Sequence, residues 1–365
     1  MTTAITPQSL FDLFKSKSSF TLVDVRSPKE FAKWSLYDSI HIPFAEIERK
    51  LSKISKSHPV ILFCNYGAES KIAAAKLSKH GYIAQSLAGG LKAWNDVYDI
   101  ATVLDKRSTL TVYQVKRLGK GCLSYMIVLP DASSTIIIDP AYNIEVYNTH
   151  IKKYKLKPIA VLDTHIHTDH ISGAKILAKK FRIPYLLPKS SKTNIPFKPM
   201  ESVLPNLIVD ASVSIIQTPG HTDESIALLL DDTFLLSGDT LFIDAIGRTD
   251  LSGDIALKTA QFYTSISALM KLPENIQVLP AHTAQPMMPG AARSANMRYI
   301  TLFNPLKDIQ SSEVFAQFQK KHSNPIPLEY ETIHLVNTGK KSIPKNINAL
   351  EFGPNCCTLD LPEEE

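Results

Sequence analysis

The sequence lacks any apolar run of about eighteen residues, the length at which a membrane-spanning helix becomes a candidate. Apolar residues nevertheless make up 44% of its 365 positions, enough for more than one core. The amino terminus has no basic region followed by an apolar stretch, so we expect no secretory signal. The net charge is only +5, and the lysines are dispersed. Neither a membrane nor a nucleic acid is therefore an expected partner.

Cysteine is also scarce, with only Cys64, Cys122, Cys356 and Cys357 in the chain. The first three are far apart, and a ring disulfide between the adjacent last two would be strained. This spacing excludes the framework of a secreted, disulfide-stapled fold, and a reducing cytoplasm fits it best. Cys64 is then a candidate reactive thiol, and Cys122 is interpreted as a small core residue. Cys356 and Cys357 are either a redox pair or two incidental thiols.

The length exceeds that of a usual single domain, so we expect two. Strand and helix patterns alternate over the first hundred residues, which predicts a mostly parallel sheet covered on both faces. The predicted strands span residues 20–25, 59–64 and 82–87, and the predicted helices span residues 43–54, 70–80 and a short stretch ending at Trp94.

Cys64 ends a predicted strand, and the residues after it lead directly into a helix. Loop amides and the helix amino terminus then point at the thiol. They can stabilise a thiolate and cradle an anion or the terminal sulfur of a persulfide. A buried cysteine at a strand end is the alternative. The cradling loop would consist of Asn65, Tyr66, Gly67, Ala68, Glu69 and Ser70.

Four motifs, in order, resemble a single-domain rhodanese over nearly all of residues 1–100. They are Asp24-Val-Arg26 with Glu30 and Phe31 following, His41-Ile-Pro43, the cysteine loop, and Leu87-Ala-Gly-Gly-Leu-Lys-Ala-Trp94. The resemblance implies an α/β domain in which Cys64 carries sulfane sulfur as a persulfide. Active rhodaneses resemble Cys-x-x-Gly-x-Arg-Ser, whereas Glu69 stands here in place of the arginine. A carboxylate there disfavours thiosulfate, a dianion, as the sulfur donor.

The second half of the chain places histidines and aspartates directly after apolar strand patterns. Its strongest signal is Thr164-His165-Ile-His167-Thr-Asp169-His170, which follows a predicted strand at residues 159–163. His221, Asp239 and His282 each follow a further apolar run. Short loops after strands can gather neutral imidazoles and carboxylates at one point. Four such elements in series therefore predict a metal site.

Residues 108–290 resemble the metallo-β-lactamase superfamily. The resemblance implies an α+β fold, an αβ/βα sandwich with two sheets face to face, helices outside, and metal at one sheet edge. Asp139 matches the family's early aspartate, which orients the histidine loop. The family's ligand positions match His165, His167, Asp169, His170, His221, Asp239 and His282.

A Gly-Arg-Thr-Asp run at residues 247–250 resembles persulfide dioxygenases, which are close relatives of glyoxalase II. That group implies one Fe²⁺ per catalytic domain, held by His165, His221 and Asp239, with open positions for O₂ and a substrate sulfur. Glutathione persulfide would be oxidised to sulfite and glutathione. Fusion to a rhodanese, which moves sulfane sulfur, favours this reaction.

Arg248 is the second predicted catalytic side chain besides Cys64. It would orient the substrate, or alternatively form a structural salt bridge with Asp244 or Asp250. The chain departs from the persulfide dioxygenases at Ile246, where a cysteine is usual, and at Ala284, where a tyrosine is usual.

Two other functions stay open at the level of sequence. The first is a glyoxalase II-like thioester hydrolase, with two Zn²⁺ ions generating a bridging hydroxide. The second is a sulfur-carrier or sensor protein without turnover, in which the metal is structural. We predict a rhodanese-like domain at residues 1–105, a catalytic domain at 106–300, and an extension at 301–365 that packs on the catalytic domain. A cytoplasmic homodimer is expected, with a small thiol persulfide and O₂ as partners.

Overall fold

The computed structural model describes residues 3–251, 253–284 and 287–359. Its amino-terminal part is a five-stranded parallel sheet in the order β1-β5-β4-β2-β3. Val60, Ile61, Leu62 and Phe63 in its middle are all buried, as expected for a strand that helices cover on both faces. The strands are β1 (Thr3–Ile5), β2 (Thr21–Asp24), β3 (Ile40–His41), β4 (Val60–Phe63) and β5 (Ala84–Leu87), and the helices are α1 (Pro7–Lys15), α2 (Pro28–Lys33), α3 (Ala68–Lys79) and α4 (Gly90–Trp94).

The predicted helix at residues 43–54 is wrong. The segment instead forms two short 3₁₀ turns, Phe44–Glu46 and Leu51–Lys53. Ile47 and Ile54 are buried in the core of the first domain, and Phe44 and Leu51 pack against it. The apolar spacing that suggested a helix is therefore satisfied by two tight turns.

A seven-stranded sheet follows, in the order β12-β11-β10-β9-β8-β7-β6. The edge strand β6 (Tyr98–Val103) pairs antiparallel with β7. It precedes residue 105, where the sequence suggests a domain boundary. The strands are β6 (Tyr98–Val103), β7 (Thr111–Arg117), β8 (Cys122–Val128), β9 (Ser134–Ile138), β10 (Lys157–Leu162), β11 (Tyr185–Leu187) and β12 (Lys198–Pro199), with α5 (Glu145–Tyr154), α6 (Ala174–Phe181) and α7 (Met200–Leu207).

The third sheet has five strands in the order β13-β14-β15-β16-β17. The strands are β13 (Val213–Gln217), β14 (Ile226–Leu230), β15 (Phe234–Gly238), β16 (Gln277–Pro280) and β17 (Ala295–Asn296). The helices after β15 are α8 (Ile255–Leu269), α9 (Met297–Phe303), α10 (Ser312–His322), α11 (Glu329–Asn337) and α12 (Ile347–Leu350), with a 3₁₀ turn at Pro305–Asp308.

The second and third sheets lie face to face. Ile127 and Ile138 of one share a core cluster with Leu228 and Leu236 of the other. On the outer faces, Tyr147 of α5 packs with Met126 and Phe262 of α8 packs with Leu229, so helices cover both sides. This is the αβ/βα sandwich expected from the sequence, preceded by the α/β domain. Within the described residues, no helix is both long and apolar enough to cross a membrane.

The segment after residue 300 packs partly beside the histidine loop. Tyr330, Ile333 and Val336 of α11 form a cluster with Ile171 and Cys357. Loops occupy residues 324–327 and 340–344, and α11 lies between them. Residues 360–365 of the predicted extension lie outside the described part of the chain.

Candidate metal centre and cysteine loop

The seven predicted ligand side chains converge where strands β10, β15 and β16 end and where the loop after β13 turns. They come from parts of the chain more than a hundred residues apart, as between Asp169 and His282. Each is at most 2% exposed, and they are His165, His167, Asp169, His170, His221, Asp239 and His282.

Asp239 lies between two groups of ligands. Its Oδ2 is 3.6 Å from His165 Nε2 and 3.3 Å from His221 Nε2. Its Oδ1 is 2.6 Å from His282 Nδ1. His167 completes the first side, its ring 4.3 Å from that of His165. One carboxylate therefore faces both halves of the centre.

On the second side, Asp169 is surrounded by two imidazoles. His170 Nδ1 is 3.0 Å from Asp169 Oδ1, and His282 Nε2 is 2.9 Å from Asp169 Oδ2. Ligand atoms of Asp169, His170, His282 and Cys122 all lie within 4.8 Å of one another. We call Asp169, His170 and His282 the second ligand group, and His165, His167 and His221 the first.

The donor atoms fit metal ions, because they are buried and lack hydrogen-bond partners in the described structure. An unpartnered buried polar atom costs about 1–3 kcal/mol, so five in one place need an explanation. A bound cation would satisfy all of them, and imidazole with carboxylate is a set that zinc and iron both accept. The five atoms are His165 Nε2, His167 Nδ1, His170 Nε2, His221 Nε2 and Asp239 Oδ2.

The opposite ring nitrogens are held in place. His221 Nδ1 lies 2.8 Å from the Arg248 carbonyl oxygen, to which it can donate, and His165 Nδ1 is 3.0 Å from Thr164 Oγ1. His167 Nε2 is 3.2 Å from Asp139 Oδ1. Such contacts orient a ligand imidazole and select the tautomer that leaves the other nitrogen unprotonated.

Asp139 contacts both the start of the histidine loop and the His167 ring. Its backbone adopts φ +52°, and its Oδ1 accepts from the Thr164 amide at 2.7 Å. Thr164 Oγ1 donates to Oδ2 at 2.9 Å. Asp139 thus ties the start of the histidine loop and the His167 ring to the end of β9.

Charge in the centre is concentrated on the carboxylates. Burial by itself would raise the pKa of Asp239, but the neighbouring His282 and His165 outweigh it and hold this pKa well below its usual range. For Asp169, burial is likewise outweighed by His170 and His282, and its pKa is well lowered. Both carboxylates are therefore ionised at neutral pH and available to a cation.

Arg248 is fully buried, and its guanidinium is occupied by structural partners. Nε donates to Asp250 Oδ1 at 2.6 Å, and Nη2 donates to Asp250 Oδ2 at 2.8 Å and to the Asn324 carbonyl at 2.6 Å. Nη1 donates to the Cys356 carbonyl at 2.9 Å. The geometry supports the salt-bridge alternative with Asp250 rather than contact with a substrate, and Arg248 serves the centre through its carbonyl on His221.

Sequence reasoning missed several residues of the centre. Cys122, interpreted as a core residue, has its thiol 3.3 Å from Asp169 Oδ2. Cys357 is fully buried and has its thiol within 4.8 Å of ligand atoms of Asp239 and His282.

Asn337 was missed as well. Its side-chain amide donates to the His167 and His170 carbonyls, at 2.8 Å each. It lies 170 residues from His167, so no local pattern could have indicated the contact. Asn337 thereby holds the histidine loop against helix α11.

The predicted persulfide loop joins β4 to α3. The Gly67 amide donates to Cys64 Sγ at 3.1 Å, and Ser70 Oγ lies 3.5 Å from the same sulfur. Cys64 is 4% exposed, while Glu69 is exposed in the first turn of α3. Gly67 has φ +90°, and a Cβ there would lie 3.1 Å from the Gly89 amide nitrogen, so a side chain at this turn would be strained.

Two residues of the carboxyl-terminal segment connect the cysteine loop to the metal centre. The Phe352 ring is 5.8 Å from that of Tyr66 in the loop and 6.3 Å from that of Trp34. Glu351, 2% exposed, pairs with Arg117 at 2.5 Å and accepts from the Ile171 amide at 2.6 Å, one residue after His170.

A cleft of about 500 Å³ borders the histidine loop. Ile166 and Thr168, which alternate with ligand residues, form one of its walls, and Thr222 continues it after His221. Acidic and basic groups both line it, including Lys192, Lys258, Lys340, Asp223, Glu224 and Glu331. The cleft therefore presents charges of both signs beside the histidine loop.

Comparison with known proteins gives two families in the order of the two folds. Residues 6–96 match the rhodanese-like domain, and residues 118–304, about half of the chain, match the metallo-beta-lactamase superfamily.

Among curated proteins, hydroxyacylglutathione hydrolase of Francisella philomiragia is 34% identical over 176 residues, which are 46% of this chain and 67% of that protein. The hydroxyacylglutathione hydrolase of Nitrosomonas europaea is 35% identical over 163 residues, covering 44% of this chain and 59% of that protein. That of Prochlorococcus marinus is 30% identical over 217 residues, covering 57% and 82%. None of the three matches extends over the whole of this chain.

Two solved structures share the fold. A metallo-beta-lactamase from Staphylococcus aureus superposes with a TM-score of 0.52 at 24% identity, covering 66% of this chain and 72% of that one. ETHE1 from Myxococcus xanthus gives a TM-score of 0.52 at 23% identity, covering 66% and 98%. At these identities the likeness supports the architecture and nothing finer.

Proposed function

The chain belongs to the metallo-β-lactamase superfamily and carries a rhodanese-like domain before that fold, and from this premise we propose that it is a metal-dependent hydrolase of glutathione thioesters. The observation that carries the proposal is the position of Asp239. Its two carboxylate oxygens face the first and the second ligand group, as a residue shared by two ions must. The curated relatives named hydroxyacylglutathione hydrolase support the same substrate class.

The residues present would hold one divalent ion on the first ligand group and one on the second, with Asp239 between them. Bound there, the ions would polarise a thioester carbonyl and activate water for attack on it. The chain itself supplies the orientation. Thr164, Asp139 and the Arg248 carbonyl hold the imidazoles, and Asn337 holds the loop that carries them.

The cleft beside the histidine loop supports glutathione as the carrier thiol. Glutathione has two carboxylates and one ammonium group, and the cleft offers lysines and acidic side chains. Lys258 Nζ is 3.5 Å from Asp223 Oδ1, so part of this charge is already paired across the cleft. The remaining groups can bind a zwitterionic peptide in a fixed direction.

A second candidate, oxidation of glutathione persulfide, is favoured by one specific observation. The same chain contains a rhodanese-like domain, whose Cys64 lies in a loop connected to the metal centre through Phe352 and Glu351. A single Fe²⁺ on His165, His221 and Asp239 would supply O₂ chemistry. The occupied guanidinium of Arg248 removes one residue that the sequence offered for substrate contact in this reaction.

The two reactions consume different substrates, so one pair of assays separates them. Purified full-length protein loaded with Zn²⁺ or with Fe²⁺ is given a hydroxyacylglutathione, and free thiol is measured. The same preparations are given glutathione persulfide, and O₂ uptake and sulfite are measured. Thiol release without O₂ uptake supports the hydrolase, whereas O₂ uptake with stoichiometric sulfite and no thioester turnover replaces it by the oxidase.

Two substitutions test the division of labour between the domains. His221→Ala removes a ligand and should lower turnover of the active substrate by at least about 100-fold, the upper range for loss of a residue that only supports a ligand. Cys64→Ser should leave that turnover unchanged, and His58→Ala, at an exposed histidine, is the control. Equal losses in Cys64→Ser and His221→Ala would contradict two separate modules.

A further inference from the structure

The thiol of Cys122 faces the second ligand group. Cys122 is 6% exposed, and its Sγ is 3.3 Å from Asp169 Oδ2. The other two members of that group, His170 and His282, each have a ligand atom within 4.8 Å of the same sulfur. One donor atom from each of the four residues fits inside a span of 4.8 Å.

The backbone fixes this arrangement. Cys122 and His282 form an antiparallel β-bridge, flanked by a bond from the Leu123 amide to the Ala281 carbonyl at 2.7 Å and one from the Thr283 amide to the Gly121 carbonyl at 3.0 Å. Directly opposed residues of such a bridge project their side chains to the same side. The thiol is therefore held beside the His282 imidazole by main-chain geometry and not by a flexible loop.

A donor is also missing a partner at this place. His170 Nε2 is buried without a hydrogen-bond partner, while its Nδ1 is engaged by Asp169. One sulfur, two imidazole nitrogens and one carboxylate oxygen are all donors that zinc accepts, and Asp239 Oδ1 lies beside them, 2.6 Å from His282 Nδ1.

We propose that Cys122 is a metal ligand of the second position, which is a Cys/His/His/Asp site for a thiolate-accepting divalent ion such as Zn²⁺. On binding, the Cys122 S–H bond breaks, a sulfur–metal bond forms and the proton passes to solvent. The two positions then differ in kind. The first offers imidazoles and a carboxylate, and the second adds a soft sulfur donor, so the second should retain zinc or cobalt more tightly.

The inference does not depend on which reaction the protein catalyses, because its test is spectroscopic. Metal-free full-length protein is reconstituted with Co²⁺, and the near-ultraviolet thiolate-to-cobalt charge-transfer band is recorded. We expect the band in the unaltered protein and in Cys356→Ser, a neighbouring thiol outside the four-residue group. We expect Cys122→Ser to lose it and, in a titration with Co²⁺, to bind one equivalent fewer at saturation.

Cys357→Ser is the decisive comparison, because this buried thiol also lies near Asp239 and His282. Loss of the band in Cys357→Ser, with retention in Cys122→Ser, overturns the assignment. X-ray absorption of the unaltered zinc protein provides a check that needs no variant. A sulfur scatterer at about 2.3 Å supports thiolate ligation, and its absence with both positions filled overturns the proposal.

Discussion

At the scale of single residues, the candidate metal centre depends on the groups that hydrogen-bond to its ligands and hold them in place. His167 shows this most clearly, because the nitrogen that would bind metal is Nδ1, and its Nε2 is turned toward Asp139. Asp163 adds a second carboxylate 3.7 Å from the same Nε2. A proton is therefore held on Nε2, and Nδ1 is the nitrogen left to face the other ligands.

Replacing Asp139 with asparagine tests this arrangement. The change keeps the size of the side chain but removes its charge, so the preferred tautomer of His167 is no longer enforced. We expect metal affinity to fall by about 10–100-fold, measured by competition with a chelator of known affinity.

The matched control is Asp131→Asn, in an exposed turn where the carboxylate accepts from the Ser133 and Ser134 amides. It should leave metal affinity unchanged. Unchanged affinity in Asp139→Asn as well would show that Asp139 does not set the state of His167.

At the scale of elements, helix α5 contains a buried histidine that no predicted activity requires. His150 lies between Tyr113 and Tyr154, with ring centroids at 4.3 and 4.5 Å, and its Nε2 has no hydrogen-bond partner in the described structure. Burial, with a smaller contribution from Lys153, lowers the pKa of His150 to about 4. The folded state therefore disfavours its protonation.

The sign of the pH dependence follows from this lowered pKa. Unfolded chains bind a proton near pH 6.5, whereas the folded protein resists until about pH 4. Stability from this residue is thus complete above pH 6.5 and falls as the pH drops toward 4. We measure the free energy of unfolding in urea. Between pH 6.5 and pH 4 it should fall by on the order of 2–3 kcal/mol less in His150→Phe than in the wild-type protein.

The control for this prediction is His58→Phe, at an exposed histidine in the first domain. Its unfolding free energy should follow the wild-type pH profile. If the unfolding free energy fell equally steeply at acid pH in His150→Phe and in the wild-type protein, other groups would be the cause of the loss of stability.

At the scale of the whole molecule, the two domains and the carboxyl-terminal segment meet at Glu351. Arg117 pairs with its carboxylate and donates through Nε to the Asn95 carbonyl at 2.8 Å. The Asn95 side chain donates in turn to the Glu351 carbonyl at 3.2 Å. The end of the first domain, strand β7 and the histidine loop are therefore fastened at one buried point.

Glu351→Ala leaves Arg117 charged and buried without this partner. We expect a loss of about 3–5 kcal/mol in the unfolding free energy, measured by urea denaturation with far-ultraviolet circular dichroism. Metal affinity should fall as well, because the Ile171 amide next to His170 loses its acceptor. Glu274→Ala, at an exposed position, is the control. An equally small change in both variants would show that the contacts of Glu351 are dispensable.

Much of the fold and the ligand set could be predicted because local order encodes them. The largely buried strand β10 is indicated by consecutive apolar residues from Ile159 to Leu162. A polar ligand directly after such a strand must lie at the sheet edge. His165, His221 and Asp239 obey that rule. The failed helix at residues 43–54 marks its limit, since an apolar spacing of three and four residues fits two short turns as well as one helix.

The sequence by itself therefore determined the two-domain architecture, the cysteine loop and the metal-type residues, all of which depend on neighbours along the chain. Only the tertiary structure decided which distant groups complete the centre. Cys122 meets Asp169 across 47 positions, Asn337 meets His167 across 170, and Asn95 meets Glu351 across 256. Such contacts are set by which strands pair and by where the chain comes back after a long connection. The residue pattern of a single sequence contains no periodic signal for either.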